Sequence, residues 1–231
     1  MELRGRLKTI AEKVPVCSIV SDVGTDHAYI PIYLVRNSIC KKAVAADVKT
    51  GPLLAAKQNI EEYRLADLIE TRLGDGLGPI KENECDSVVI AGMGGTLIKD
   101  ILERDFSKAR AAKILVLQPM NRVDELREWL YGSGFDIFDE SLTCEGEKIY
   151  VIISARWTGE NRKLDDIYFL IGEKLIEKKD PLLEKYLMKK IRQVHKVIEE
   201  LKSGPGELET IKEKQLGLSK RLEEILRELR K

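Results

Sequence analysis

Over the first two thirds of the chain, apolar residues follow two alternating rhythms, one of strands and one of helices. Leu3, Leu7, Ile10, Ala11 and Val14 recur at helical spacing and predict an amphipathic helix, with Arg4, Arg6, Lys8 and Lys13 on its other face. Pro15 disfavours helix at the residue before it and ends the element. Residues 18–23 are a compact apolar run that predicts a strand, and residues 28–37 fit a short helix with Pro31 in its first turn. The alternation repeats with strand 43–47, helix 51–63 and strand 69–76, which stops at an Asp-Gly turn. Strand 86–91, helix 96–103, strand 113–118 and helix 124–131 follow. Residues 135–144 and 149–155 are the last two strands; the short link Glu145-Gly146-Glu147-Lys148 predicts an antiparallel hairpin.

From about Leu164 the rhythm becomes one of heptads. Leu187, Ile191, Val194, Ile198 and Leu201 are spaced 4, 3, 4, 3. Beyond Ser203-Gly204-Pro205-Gly206, the set Leu208, Ile211, Gln215, Leu218, Leu222, Ile225 and Leu229 runs 3, 4, 3, 4, 3, 4. A seam on each side of a turn predicts an antiparallel helical coiled coil. Asp180-Pro181 has the character of an N-cap and first helical residue, which divides the ascending arm in two.

Short apolar strands, each followed by a helical pattern, predict an α/β fold with a mostly parallel, doubly wound sheet. Five such units closed by an antiparallel hairpin are the layout of the Rossmann-like class I methyltransferases. A flavodoxin-like or nucleotide-hydrolase domain would lack the hairpin, and no G-x-x-x-x-G-K-[ST] phosphate loop is present. The expected organisation is a cofactor-binding catalytic domain over residues 1–158 and a helical domain over residues 159–231.

Composition narrows the class further. The chain of 231 residues is 43% hydrophobic and 34% charged, with no apolar run near the roughly 20 residues a membrane span requires. Residues 1–8 show no apolar core of a signal peptide, so a cytoplasmic protein without membrane contact is expected. Formal net charge is zero, yet residues 1–156 lean acidic and residues 157–231 lean basic. Cys17, Cys40, Cys85 and Cys144 are scattered, form no C-x-x-C pair and have two histidines for company, so reduced thiols and no metal site are expected.

The strand ends carry the candidate chemistry. Asp22-Val23-Gly24-Thr25-Asp26-His27-Ala28-Tyr29 leads from the first strand through a tight turn into a helix. Ligands of open α/β sheets bind beyond the carboxyl ends of strands, and Gly24 lets one approach the backbone closely. Where a dinucleotide fingerprint places a second glycine, this chain has Asp26, whose carboxylate repels a pyrophosphate. It welcomes the sulfonium and ammonium groups of S-adenosylmethionine. Asp22 and Gly24 belong to the same cofactor turn. Asp47, at the end of the second strand, is placed to accept hydrogen bonds from the ribose hydroxyls, and Asp75, beside Gly76, from the adenine amine. A surface cap for Asp47 and an ordinary turn for Asp75 are the plain alternatives. Gly92-Met93-Gly94-Gly95 ends the fourth strand, the wall facing the transferred methyl, with bare backbone for a substrate base to lie on. Gln118-Pro119-Met120-Asn121 ends the fifth and points amides toward the same crevice, with a helix cap as the alternative for Asn121.

Four motifs in order, Asp22-Val23-Gly24-Thr25-Asp26-His27-Ala28-Tyr29-Ile30-Pro31, Gly74-Asp75-Gly76-Leu77, Ala91-Gly92-Met93-Gly94-Gly95 and Gln118-Pro119-Met120, closely resemble the bacterial tRNA adenine-N1 methyltransferases that modify nucleotide 22 in the D-arm. The resemblance spans the whole chain, including the coiled coil. It implies S-adenosylmethionine as cofactor, S-adenosylhomocysteine as its product, no metal, and a helical extension that grips tRNA. With the resemblance, the cofactor set is Asp22, Gly24, Asp26, Asp47, Asp75, Gly76, Gly92, Met93 and Gly94. The base and its surroundings fall to Gly94, Gly95, Gln118 and Met120.

Attack by adenine N1 leaves positive charge on the purine, so a carboxylate accepting from the N6 amine would stabilise it and help remove a proton. Asp26 is the first candidate for that role, and holding the methionine ammonium is its alternative. His27 and Tyr29 would position or stack on the base, and Asn121 completes the catalytic candidates; a helix cap is the alternative for His27. For tRNA phosphates the candidates are Arg4 and Arg6, and Lys189, Lys190 and Arg192 in a stretch from Lys185 to Lys196 that holds no acidic residue. A solvated coiled-coil face is the plain alternative. A monomer is favoured. Rival readings are a methyltransferase for a small molecule or protein with the coiled coil as dimer interface, and a non-catalytic adaptor with a degenerate cofactor domain.

Overall fold

A computed structural model describes residues 1–201 and 208–231, with the side chains of residues 208 and 209 left aside. The predicted turn at Ser203-Gly204-Pro205-Gly206 and the seam side chain of Leu208 lie outside the described residues. Two compact units are formed, Met1–Lys163 and Leu164–Lys231.

In the first unit, α1 (Gly5–Glu12) precedes β1 (Cys17–Val23), α2 (Tyr29–Arg36), β2 (Cys40–Asp47), α3 (Thr50–Glu62) and β3 (Ile69–Leu73). Then come β4 (Ser87–Met93), α4 (Gly95–Arg104), α5 (Phe106–Ala111), β5 (Ile114–Pro119), α6 (Val123–Gly132), β6 (Phe135–Glu145) and β7 (Lys148–Trp157). The seven strands form one sheet in the order β3-β2-β1-β4-β5-β7-β6. The pairs among β1 to β5 are parallel, while β7 is antiparallel to both β5 and β6. Every predicted strand is present. The one added helix, α5, is too short for a periodic signal; its Phe106 packs edge-on against Trp129 and Phe135.

The central strands are apolar on both faces because helices cover both. Val20, Val89, Val116 and Ile152 are fully or almost fully buried, as are Ile10, Ile32, Leu34 and Ile60 from the covering helices. The chain leaves β1 toward β2 on one side and returns from β3 to β4 on the other. A crevice therefore opens above the carboxyl ends of β1 and β4, where the strand order reverses.

The second unit comprises α7 (Asp166–Ile171), α8 (Glu173–Glu177), α9 (Leu183–Glu200) and α10 (Leu208–Leu229). The seam is real over much of its length: Leu187, Val194, Ile198 and Leu222 are buried, and His195 Nε2 lies 2.8 Å from Ser219 Oγ between the arms. It opens at Ile211, which is 49% exposed. The break at Asp180-Pro181 is present, but Asp180 Oδ1 accepts from the backbone of Leu182, and α9 starts only at Leu183. Asp180 thus closes a turn ahead of the helix instead of capping it.

Candidate active site

The turn after β1 is held by the neighbouring strand. The backbone amides of Gly24 and Thr25 both donate to Ala46 O of β2, at 2.8 and 3.0 Å. Gly24 has φ of +77°, a left-handed conformation that favours glycine, and a β-carbon there would displace Cε of Met93. The turn ends at Ala28, held at φ +55° as the residue before α2, and Asn59 of α3 donates to His27 O at 3.0 Å.

This path separates the two carboxylates of the motif. Asp22, still within β1, is 6% exposed and has no ion-pair partner among the described residues. Burial pushes its carboxyl up to about 6, with the Thr25 hydroxyl opposing the rise and the charge of Asp47 adding to it. Asp26 stands on the rim with its side chain 77% exposed, and its Oδ2 is 3.4 Å from His27 Nε2. The His27 ring stacks on Tyr29, centroids 5.1 Å apart. Both carboxylates line one cavity of about 340 Å³, together with Gly24, His27, Tyr29 and Gly92.

Arg6 enters the same cavity, which the sequence reading did not foresee. Its Nη1 donates to Gln118 Oε1 at 2.5 Å and lies 3.5 Å from where a β-carbon on Gly92 would stand. Its backbone amide donates to Glu145 Oε1 at 2.9 Å and its guanidinium lies over the Tyr150 ring, so the β6–β7 hairpin anchors the start of α1. Arg6 therefore does not share an outer basic face with Arg4, which is exposed. Lys13 also turns inward, pairing with Asp139 at 2.7 Å.

Asp47, the last residue of β2, uses Oδ1 to accept from the Lys49 amide at 2.7 Å in a local turn. Asp75 Oδ2 is held by Arg104 Nη1 of α4 at 2.6 Å, a partner that no local pattern announced. Gly76 is required beside it, since a β-carbon would meet Arg104 and Ile101 at 2.6 and 2.9 Å.

Two substrate candidates, Gln118 and Gly95, are placed otherwise than expected. Gln118 is fully buried; its Oε1 accepts from Arg6 and from the Gly92 amide, and its Nε2 donates to Pro119 O. All its capacity on the crevice side is occupied in bracing, so it supports the site from behind. Gly95 is buried, and a β-carbon would strike the backbone oxygens of Asn121 and Arg122. That glycine serves the close approach of the 121–122 loop to α4, where Gly95 N donates to Asn121 O at 3.0 Å. Asn121 does not cap α6, whose N-cap residue is Arg122, and its Oδ1 faces Gly94. Met120 is half exposed at the mouth, its amide donating to Met93 O at 2.7 Å.

The sheet order, the glycine turn after β1 and the acidic end of β2 define a class I S-adenosylmethionine-dependent methyltransferase. The cavity fits the zwitterionic end of that cofactor: it is lined by a buried carboxylate with no ion-pair partner among the described residues, by a guanidinium and by two glycines.

Comparison with known proteins agrees. Residues 3–153 match the methyltransferase domain family. The Bacillus subtilis tRNA (adenine(22)-N(1))-methyltransferase is 34% identical over 99% of this chain and 97% of its own. A Streptococcus pneumoniae structure in complex with S-adenosyl-L-methionine superposes with a TM-score of 0.84 at 33% identity, covering 96% of this chain and 98% of that one. TrmK of M. capricolum, bound to S-adenosyl-homocysteine, gives 0.81 at 29% identity, over 99% and 98% of the chains. The chain belongs to the tRNA (adenine(22)-N(1))-methyltransferase family.

Proposed function

We propose that this protein methylates N1 of adenine 22 in the D-arm of tRNA, using S-adenosylmethionine held above the carboxyl ends of β1, β2 and β4. The observation that carries the reading is the division of labour in the first turn: Asp22 is buried at the cavity floor, and Asp26 is open on its rim beside His27 and Tyr29. One carboxylate is available for the cofactor and the other for the base.

The cofactor supplies a methyl group on a sulfonium. Asp22 would hold the methionine ammonium, Arg6 its carboxylate, Asp47 the ribose hydroxyls and Asp75 the adenine amine. Arg6 is thereby read as a cofactor residue and not as part of a phosphate patch. Adenine N1 lies on the Watson–Crick edge, so the target base must leave its stack to react. His27 and Tyr29 offer it a stacked aromatic surface, and Asp26 accepts a proton from the N6 amine as positive charge builds on the ring.

Arg6→Ala should raise KM for S-adenosylmethionine by about tenfold or more, the usual loss for a charge-assisted hydrogen bond, with KM for tRNA little changed. Initial-rate kinetics with each substrate varied in turn would show it; a rise confined to tRNA would return Arg6 to the phosphates.

The helical unit is the proposed tRNA grip. Lys185, Lys189, Arg192 and Lys196 succeed one another at i, i+4, i+7 and i+11 along α9, opposite the buried Leu187, Val194 and Ile198. Among the described residues Lys185, Lys189 and Arg192 have no ion-pair partner, and Lys196 has only a long contact with Glu200 at 3.9 Å. Lys190 is turned aside over the Tyr186 ring. The apolar faces of α9 and α10 cover each other within one chain, which supports a monomer as the acting species, working in the cytoplasm where tRNA is matured. No helix of the described residues is long and apolar enough to cross a membrane.

The deciding experiment incubates the protein with unmodified tRNA and follows nucleosides by mass spectrometry. 1-Methyladenosine should form, and a transcript with guanosine at position 22 should yield none; a labelled product elsewhere would overturn the assignment. Replacing Lys185, Lys189 and Arg192 together by Ala should weaken tRNA binding and lower the slope of log K against log salt by about 2 to 3. Cofactor affinity should stay as it was.

A further inference from the structure

At the opposite end of the sheet from the crevice, two cysteines that are remote in sequence become neighbours. Cys17 opens β1 and Cys40 opens β2, and the parallel register makes them direct partners. Adjacent strands run about 4.8 Å apart, within the roughly 4.4–6.8 Å between α-carbons that a disulfide spans, and in-register residues project from the same face of a sheet. Their Sγ atoms are 2.7 Å apart, closer than two non-bonded sulfur atoms rest.

We propose that Cys17 and Cys40 form a reversible disulfide, a modification site that takes a low-molecular-weight disulfide such as that of glutathione as its oxidant. The two thiols differ in access. Cys17 is half-buried and lines a cavity of about 330 Å³ that also reaches Lys41, Ser87 and Lys113, while Cys40 is 2% exposed. They differ in acidity in the matching sense. The hydrogen bond with Cys40 holds the Cys17 thiol below its ordinary value against the opposing effects of burial and Asp86, with Ser87 and Lys113 acting the same way as Cys40, and the neighbouring Cys17 together with burial pushes Cys40 up. The accessible thiol is thus the better nucleophile and the covered one is placed to resolve it.

The exchange balances in two steps. The Cys17 thiolate attacks one sulfur of glutathione disulfide, forming a mixed disulfide and releasing one glutathione thiolate. Cys40 gives up its proton and its sulfur attacks Cys17 Sγ, closing the protein disulfide and releasing the second glutathione. The two cysteines lose two electrons and two protons, and the oxidant leaves as two thiols. In a reducing compartment such a pair responds to redox poise instead of bracing the fold permanently.

The test uses the full chain carrying Cys144→Ser, because Cys144 is exposed and would take up glutathione by itself. The reduced protein is treated with glutathione disulfide, quenched in acid and digested with trypsin without reductant. Cys17 falls in the peptide 14–36 and Cys40 in 37–41. The expected product is these two peptides joined, lighter by two hydrogens than their sum and parted by dithiothreitol, as free thiols fall from three to one. With Cys40→Ser added, Cys17 should stop at a lasting glutathione adduct. Persistence of all three thiols, a link from Cys17 to Cys85, or a glutathione adduct on Cys17 that Cys40 fails to displace would each overturn the proposal.

Discussion

Asp26→Asn should lower kcat by about 10²- to 10⁴-fold, the usual contribution of a positioned general base, while changing cofactor affinity by less than about threefold. The expectation rests on where the turn puts this carboxylate. Asp26 is the open member of the pair, its carboxylate 3.4 Å from His27 and its side chain 77% exposed. On the proposed assignment, removing its charge leaves the cofactor's ammonium with Asp22 and takes from the base its proton acceptor. Single-turnover methylation with cofactor and tRNA both saturating isolates that step. A large loss of affinity with the single-turnover rate intact would make Asp26 a cofactor residue. Because His27 and Tyr29 stack on each other beside it, their substitution should act mainly through base positioning.

Asp22→Asn should do two opposite things: stabilise the fold and disable the cofactor site. The folded protein holds the Asp22 proton more tightly than an unfolded chain does, its carboxyl standing at about 6 against an ordinary 3.8. The ionised carboxylate therefore subtracts stability above pH 6, and that penalty fades as pH falls toward 4. At 1.36 kcal/mol per unit, the penalty at neutral pH is about 1–3 kcal/mol, a rise of several degrees in Tm when it is relieved. The excess stability of the variant over the parent should be full above about pH 6 and vanish near pH 4. Thermal unfolding of the two proteins across that range measures it, and a variant that melts lower at neutral pH would refute the account. In the same variant the cofactor loses a buried ionic partner, and its Kd should rise by about 30-fold or more. In the parent, cofactor affinity should fall about tenfold per unit below pH 6, because only the ionised carboxylate pairs with an ammonium. The variant should show a flatter profile by calorimetry.

Both predictions concern a turn whose residues were readable and whose division was not. Gly24 and Asp26 stand out by type and spacing, because a carboxylate in a glycine turn is incompatible with a pyrophosphate. Which carboxylate faces inward depends on the path between them. That path is set by the hydrogen bonds from Gly24 and Thr25 to Ala46, and those bonds come from a different strand. Gln118 shows the same limit. As an amide at a strand end it reads as a substrate contact, but its partners Arg6 and Gly92 lie 112 and 26 residues away, and they use it as a brace. Gly95 reads as open backbone and turns out to be a packing glycine under the 121–122 loop.

The sequence by itself determined the strands, the longer helices, the closing hairpin, the heptad seam and the acidic strand ends. Each of these is a local periodicity or a local steric requirement, written within a dozen residues. Tertiary structure decided what depends on strand order and register. It buried Asp22 and exposed Asp26, brought Arg6 of α1 over Gly92, tied Asp75 to Arg104, and set Cys17 beside Cys40. The physical reason is that burial and charge pairing are properties of neighbours, and in a parallel sheet the nearest neighbours are distant in the chain.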